Sequence, residues 1–94
     1  MPYVLLQHTV ENYDEFKAIY DADGRYRKRR GYHGARLFRS ADDPNLLVML
    51  FEWDTTEKAR TFATSAELED AMKWASAKGD WKLTVLEEIE EDEA

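Results

Sequence analysis

The sequence contains no cysteine, so it can form neither a disulfide nor a thiolate metal site. It has only two histidines, His8 and His33, and no close spacing of histidine and carboxylate residues that is typical of a metal site. Glycine-rich phosphate loops and recognisable nucleophile motifs are absent as well. We therefore expect no metal and no phosphate-bearing cofactor.

Long hydrophobic runs are equally scarce. The amino-terminal segment MPYVLLQHTV has an apolar run of about four residues and no basic region before it, whereas a membrane-spanning helix needs about 20 apolar residues. This segment is predicted to be neither a signal peptide nor a membrane anchor. We expect a cytoplasmic protein with no membrane partner.

The composition is typical of one small globular domain. Hydrophobic residues make up 44% of the 94 residues, which supports a packed core, while the length leaves no room for a second one. The net charge is -7, and the acids are concentrated in the terminal segment EEIEEDE. We expect a single domain over residues 1–94 in which the acidic tail, residues 87–94, is frayed.

Hydrophobic periodicity predicts four strands and two helices. Asn12 and Glu15 form a capping pattern at the start of the first helix, and Gly31 follows its predicted end. In the second helix the apolar stripe changes direction near Ser65, where Thr64 with Glu67 would cap a second segment. The predicted elements are strands at 3–10, 33–40, 46–53 and 80–89, a helix at 12–30 and a broken helix that begins at Asp54.

The order β-α-β-β-α-β predicts an α+β, ferredoxin-like fold with an antiparallel sheet in which the first and third strands are central. The third strand, LLVMLFEW, is apolar on both faces. Two helices can cover only one face of a four-stranded sheet, so the other face needs a second cover. The simplest cover is another copy of the sheet, and we therefore expect a homodimer.

Three segments together resemble a known family: HTVENYDEFKAIYD, GARLFRSADDPNLLVMLFEWDTTEKARTFA and SAELEDAM. They resemble the dimeric α/β-barrel proteins grouped with the antibiotic biosynthesis monooxygenases, and among these the short stand-alone members without an assigned reaction. Related barrels include cofactor-free oxygenases of phenolic polyketides, heme-degrading oxygenases, lactone isomerases and polyketide cyclases. The resemblance implies a dimeric α/β barrel. Heme degradation is disfavoured, since relatives with that activity carry a histidine on the second helix and residues 55–78 contain none.

The segment RYRKRR, residues 25–30, places five bases in six residues at the predicted end of the first helix. There the helix dipole favours cations, and most of these side chains are expected to be solvated. On a helical wheel Arg27 and Arg30 continue the apolar face that begins at Phe16, whereas the other three bases point outward. Arg27 and Arg30 have two interpretations. Either their side chains extend past the sheet edge, or they line the mouth of a pocket together with Asp23. The acidic remainder of the surface argues against nucleic acid as a partner.

His8 lies among apolar residues on the first strand and has two interpretations. It is either a buried histidine whose nitrogens are satisfied locally or, as the resemblance implies, a pocket residue that acts as a general base. A base with the ordinary histidine pKa would lose activity below about pH 6.5.

Three aromatic residues are predicted to face the same inner region: Tyr20, Trp53 and Phe62. Each is either part of the core or a wall of a substrate pocket. For Trp53 the resemblance favours the pocket, because related oxygenases present an aromatic side chain to a flat substrate at this position. As a core residue it would still need an acceptor for its indole N–H.

If the protein is an enzyme, the resemblance implies cofactor-independent monooxygenation of a small aromatic or polyketide-like compound. His8 would remove a proton, Arg27 oriented by Asp23 would stabilise the resulting anion, and the carbanion would react with oxygen directly. The substrate ring would lie against Tyr20, Trp53 and Phe62. Two alternatives stay open: a non-catalytic dimer that binds small hydrophobic ligands or assembles with partners, and an isomerase or cyclase of the same fold.

Overall fold

The chain forms one antiparallel sheet with helices on one of its faces. The computed structural model describes residues 1–22, 28–74 and 77–93, with only the backbone at residues 74, 77, 78 and 80. The elements are β1 (Tyr3–Val10), α1 (Tyr13–Ala22), β2 (Tyr32–Arg39), β3 (Leu46–Trp53), α2 (Thr56–Ala63), α3 (Ala66–Trp74) and β4 (Ala77–Leu86). The strand order is β2-β3-β1-β4, so β1 and β3 are central and the predicted ferredoxin-like topology is confirmed. Within the described ranges no helix is long and apolar enough to cross a bilayer.

The register between the central strands divides their side chains into two sets. Val4 lies opposite Phe51 and Leu6 opposite Met49, and all four are buried on the face that carries the helices. Successive side chains on a strand alternate between faces, so the residues between them point the other way. Those on the open face are only partly buried: Leu5, Leu46, Val48 and Leu50. Phe38 on β2, which lies opposite Val48, is 48% exposed.

The first helix begins as predicted, with the N–H of Glu15 donating to Asn12 Oδ1 at 2.9 Å. Its predicted end is wrong, because residues 29–31 form a turn instead of helix. The turn is held by the Asp54 N–H, which donates to the Gly31 carbonyl at 2.9 Å. Gly31 has φ 91° and lies so close to Asp54 that an added Cβ would be 2.6 Å from Oδ1. The chain bends here because β2 must enter the sheet beside β3.

This turn reverses the predicted directions of two bases. Arg29, predicted to face solvent, is 25% exposed and pairs with Glu67 of α3, with Nη2 and Oε1 2.9 Å apart. Arg30, predicted to continue the apolar face of the helix, is exposed. The helical-wheel prediction is wrong here because it assumed helical geometry through Arg30, whereas the hydrogen bond from Asp54 to Gly31 holds these residues in a turn.

The predicted break in the second helix is confirmed. Thr55 caps α2 and Ser65 caps α3, each accepting a hydrogen bond from the backbone N–H three residues later, at 3.1 and 3.2 Å. Both caps lie one residue after the predicted positions, Asp54 and Thr64. The break lets the buried faces of α2 and α3, which include Phe62 and Met72, both pack on the sheet.

Candidate functional site

His8 is the one buried polar side chain in the part of the chain that the structure describes, with 2% of its surface exposed. It lies on β1 on the helix-covered face, opposite Leu47 of β3. The ring of Phe16 from α1 covers it, with the ring centroids 5.3 Å apart. Neither imidazole nitrogen has a hydrogen-bond partner. Such a group is unusual, since buried side-chain polar atoms are nearly always paired.

Burial lowers the pKa of His8 to about 4, because the ring loses the water that would stabilise its charged form. At neutral pH the imidazole is therefore uncharged, with one nitrogen free to accept a proton. Its low pKa makes it a weak base toward any group that does not also stabilise the resulting imidazolium.

A cavity of about 270 Å³, here called the Leu47 cavity, is lined by the strand partner of His8 but not by His8 itself. Its lining residues are Tyr13, Leu37, Phe38, Arg39, Leu47 and Met49. Leu47 connects the cavity to the histidine, because it pairs with His8 on one side and with Arg39 on the other. One row across three strands thus carries a neutral base, an apolar wall and a cation.

Arg39 is the residue of this row to which sequence analysis gave no role. Its guanidinium carbon lies 5.2 Å from the centroid of the Tyr13 ring, a cation–π contact at the solvent side of the cavity. The available signal was the alternation in HGARLFRS, which places Ala35, Leu37 and Arg39 on one face of β2.

Trp53 belongs to a second aromatic group at the far end of β3. It is 1% exposed, and its ring centroid lies 5.3 Å from that of Tyr32 and 5.1 Å from that of Phe62. It borders a cavity of about 420 Å³, here called the Trp53 cavity. The other lining residues of this cavity are Arg29, Arg30, Thr55, Glu57, Lys58 and Thr61.

The structure does not bring all the predicted site residues together. Trp53 is six residues along β3 from the partner of His8, which at about 3.3 Å per residue places the two ends roughly 20 Å apart. The space between them on this face is filled by buried Met49 and Phe51. Trp53 and Phe62 therefore share one end of the sheet, whereas Tyr20 stacks on Phe16 at the His8 end, with centroids 6.0 Å apart. Asp23 and Arg27 lie outside the described residues.

The sequence matches a family model described as antibiotic biosynthesis monooxygenase over residues 4–74. The chain belongs to this family. No protein with a curated description matches it in sequence.

Several solved structures share the fold of this family member. A Bordetella bronchiseptica protein named for the same family superimposes with a TM-score of 0.74 at 20% identity, covering 94% of this chain and 96% of that one. SnoaB, a cofactor-independent oxygenase from Streptomyces nogalater, superimposes with a TM-score of 0.72 at 18% identity, covering 96% of this chain and 94% of that one. A conserved protein from Methanosarcina mazei Go1 superimposes with a TM-score of 0.71 at 16% identity, covering 90% of this chain and 89% of that one. At these identities the likeness establishes the fold.

The burial of His8 predicts an acid-sensitive contribution to stability. Because its pKa is lowered from 6.5 to about 4 on folding, the unfolded chain binds the proton more readily, and the contribution is complete above pH 6.5 and lost as the pH falls toward 4. Between pH 7 and pH 5 this amounts to about 2 kcal/mol. Urea unfolding at pH 7 and pH 5 measures the drop in the free energy of unfolding. This drop should be about 2 kcal/mol smaller in His8→Leu than in the wild type. Equal losses in the two proteins would show that His8 is hydrated in the folded state.

Proposed function

We propose that this family member catalyses cofactor-independent oxygenation of a small aromatic compound bound in the Leu47 cavity. The observation that supports this most directly is the uncharged imidazole of His8, buried beside the cavity residue Leu47 with both nitrogens unpaired. Most buried histidines with a structural role have at least one nitrogen paired. SnoaB, which shares the fold, is a cofactor-independent oxygenase.

His8 acts as the base in this proposal. It takes a proton from an acidic C–H of the substrate, and the carbanion reacts with O₂ to form a C–O bond and a peroxide anion. The peroxide takes up a proton and then loses water, so that one oxygen atom remains as a new carbonyl and the other leaves as water. Both electron pairs come from the substrate, which is why no cofactor is required.

Two other side chains have defined roles. Phe16 covers the imidazole ring at 5.3 Å, so a ligand reaches His8 by displacing it. Arg39, at the mouth of the cavity, supplies a fixed positive charge for the enolate or peroxide, the role that sequence analysis gave to Arg27. A contribution of Arg27 remains a proposal, as does that of Asp23.

The properties of the cavity restrict the substrate. A cavity of 150 Å³ holds benzene, so about 270 Å³ suits a compound of two or three fused rings. A phenol of ordinary pKa, about 10, holds its proton roughly a millionfold more tightly than an imidazole whose pKa is about 4. The substrate must therefore be more acidic than a simple phenol, or its anion must form a close ion pair with the imidazolium.

Anthrone, which has three fused rings and an acidified CH₂ group, is a suitable probe for this reaction. Oxygen uptake with anthrone should fall at least about 100-fold in His8→Ala and stay within about twofold of wild type in the control His33→Ala, whose histidine is exposed on β2. The value of kcat/KM should persist to about pH 5 and decline near pH 4, not near 6.5, because burial lowers the pKa of the base. Anthraquinone should not form without oxygen.

Undiminished turnover in His8→Ala would show that His8 is not the base. Conversion of a ligand in the absence of oxygen would instead favour the isomerase or cyclase alternative. A decline centred near pH 6.5 would show that the base is a solvated histidine.

The open face of the sheet supports a further part of the proposal, in which two copies form a cytoplasmic homodimer. A contiguous apolar patch lies there, formed by Leu5, Val48 and Leu50. Leu5 of β1 lies opposite Leu50 of β3, and Val48 is next to Leu50 on the same face of β3. Arg36 and Glu52 flank this patch with opposite charges. A second copy of the patch would cover it and keep these charges at the rim.

Light scattering should therefore give twice the chain mass for the wild type and a monomer for Val48→Glu, because the added carboxylate would be buried without a partner. Ala18→Glu, which adds the same charge on the exposed side of α1, is the control and should remain dimeric. A monomeric wild type would contradict the dimer.

A further inference from the structure

Two unlike charges lie beside the apolar patch on the open face of the sheet. Arg36 of β2 lies directly opposite Leu50, and Glu52 is two residues beyond Leu50 on β3. Both therefore point to the open face, as Leu50 does. The ion pairs found among the described residues join other side chains. Each of these two charges is thus available to a partner.

Leu50 is the corner between the two charges. Neighbouring strands are about 4.8 Å apart and successive residues about 3.3 Å apart, so Arg36 lies about 5 Å from Leu50 across the sheet and Glu52 about 7 Å from it along β3. The fourth corner is Gly34, opposite Glu52, where an added Cβ would meet nothing within 4 Å. A cavity of about 200 Å³ is lined by all four residues. This corner of the sheet therefore has room for a side chain of another molecule.

A two-fold symmetric contact is self-complementary, so when one residue touches a second residue of the partner, the reverse contact is made as well. In a flat sheet with these spacings, the axis that places Arg36 on the partner's Glu52 passes within roughly 2 Å of the Cα atoms of Leu50 and Leu5. The same axis lays these two leucines on their own copies. The arrangement that pairs the charges is thus the one that covers the centre of the apolar patch.

We infer that Arg36 of each protomer forms an ion pair with the partner's Glu52, and that this pair selects a second copy of the chain as the partner. The inference rests on the homodimer proposed above but not on the oxygenase activity, because neither residue lines the Leu47 cavity. An apolar patch alone accepts many apolar surfaces. Ion pairs at its rim add little affinity, but they exclude partners that place like charges there.

Charge reversal tests whether the pair joins two chains. A homodimer of Arg36→Glu faces acid with acid at both positions, and a homodimer of Glu52→Arg faces base with base. Each variant should therefore lose at least about tenfold in dimer affinity, measured by light scattering over a dilution series. An equimolar mixture should dimerise again, because one chain supplies both acids and the other both bases. Native mass spectrometry should find about nine tenths of the dimers mixed, whereas random pairing gives about half.

Two variants serve as controls for these measurements. The double variant Arg36→Glu/Glu52→Arg should regain the wild-type affinity, since the charges exchange places and remain opposite. Arg60→Glu, the same reversal on an exposed residue of α2, should dimerise as the wild type does. Salt at about 0.5 M should reduce the difference between the single variants and the wild type, because it screens exposed charges.

The outcomes separate the ion pair from the homodimer. Single variants as dimeric as the wild type, or random pairing in the mixture, would overturn the ion pair and leave the homodimer intact. Rescue by the double variant without rescue in the mixture would show that Arg36 and Glu52 pair within one chain. A monomeric wild type would contradict both proposals.

A milder pair of substitutions covers the case in which a reversed variant does not fold. Dimer affinities of Arg36→Gln, Glu52→Gln and the double variant form a double-mutant cycle with the wild type. The second substitution should cost less when the first is present, because the partner charge is already gone. Strictly additive losses would overturn the ion pair.

Discussion

The pairing of β1 with β3 decides the arrangement of the whole molecule, because its register sets which side chains of both central strands face the helices. With Leu6 opposite Met49, a continuous layer of large apolar side chains lies under α1, α2 and α3. A shift of one residue would exchange this layer for the set that includes Leu5 and Val48 and would turn His8 outward. The buried histidine and the open apolar face are therefore two consequences of one register.

The same packing separates the two ends of the helix-covered face. The middle of β3 is closed by buried side chains, and the Leu47 and Trp53 cavities lie toward its two ends. The Leu47 cavity adjoins apolar side chains and Arg39, and the Trp53 cavity adjoins the ring of Trp53 and several charged side chains. The apolar walls of the Leu47 cavity suit an apolar compound.

Local sequence patterns were sufficient for β1 and β3, whose predicted limits agree with those observed, and for the break near Ser65, whereas the last strand was predicted at 80–89 and lies at Ala77–Leu86. They were insufficient where tertiary contacts override local preference. The turn at Arg29 depends on a hydrogen bond from Asp54, a residue distant in the sequence, and no helical wheel contains that information. Likewise, proximity of His8 to Arg39 follows from the register of three strands, whereas the wide separation of His8 and Trp53 follows from their positions at opposite ends of one face.

The proposed oxygenation depends on an uncharged imidazole that lies beneath Phe16 and beside Leu47. The most direct test is a pH titration of the two histidine side chains by ¹⁵N NMR, with His33→Gln used to assign the signals. His8 should remain a neutral tautomer through pH 5 and titrate near pH 4, because burial lowers its pKa. Titration of His8 near pH 6.5, the ordinary pKa of a hydrated histidine, would contradict the burial of an uncharged imidazole and the oxygenation chemistry that requires it.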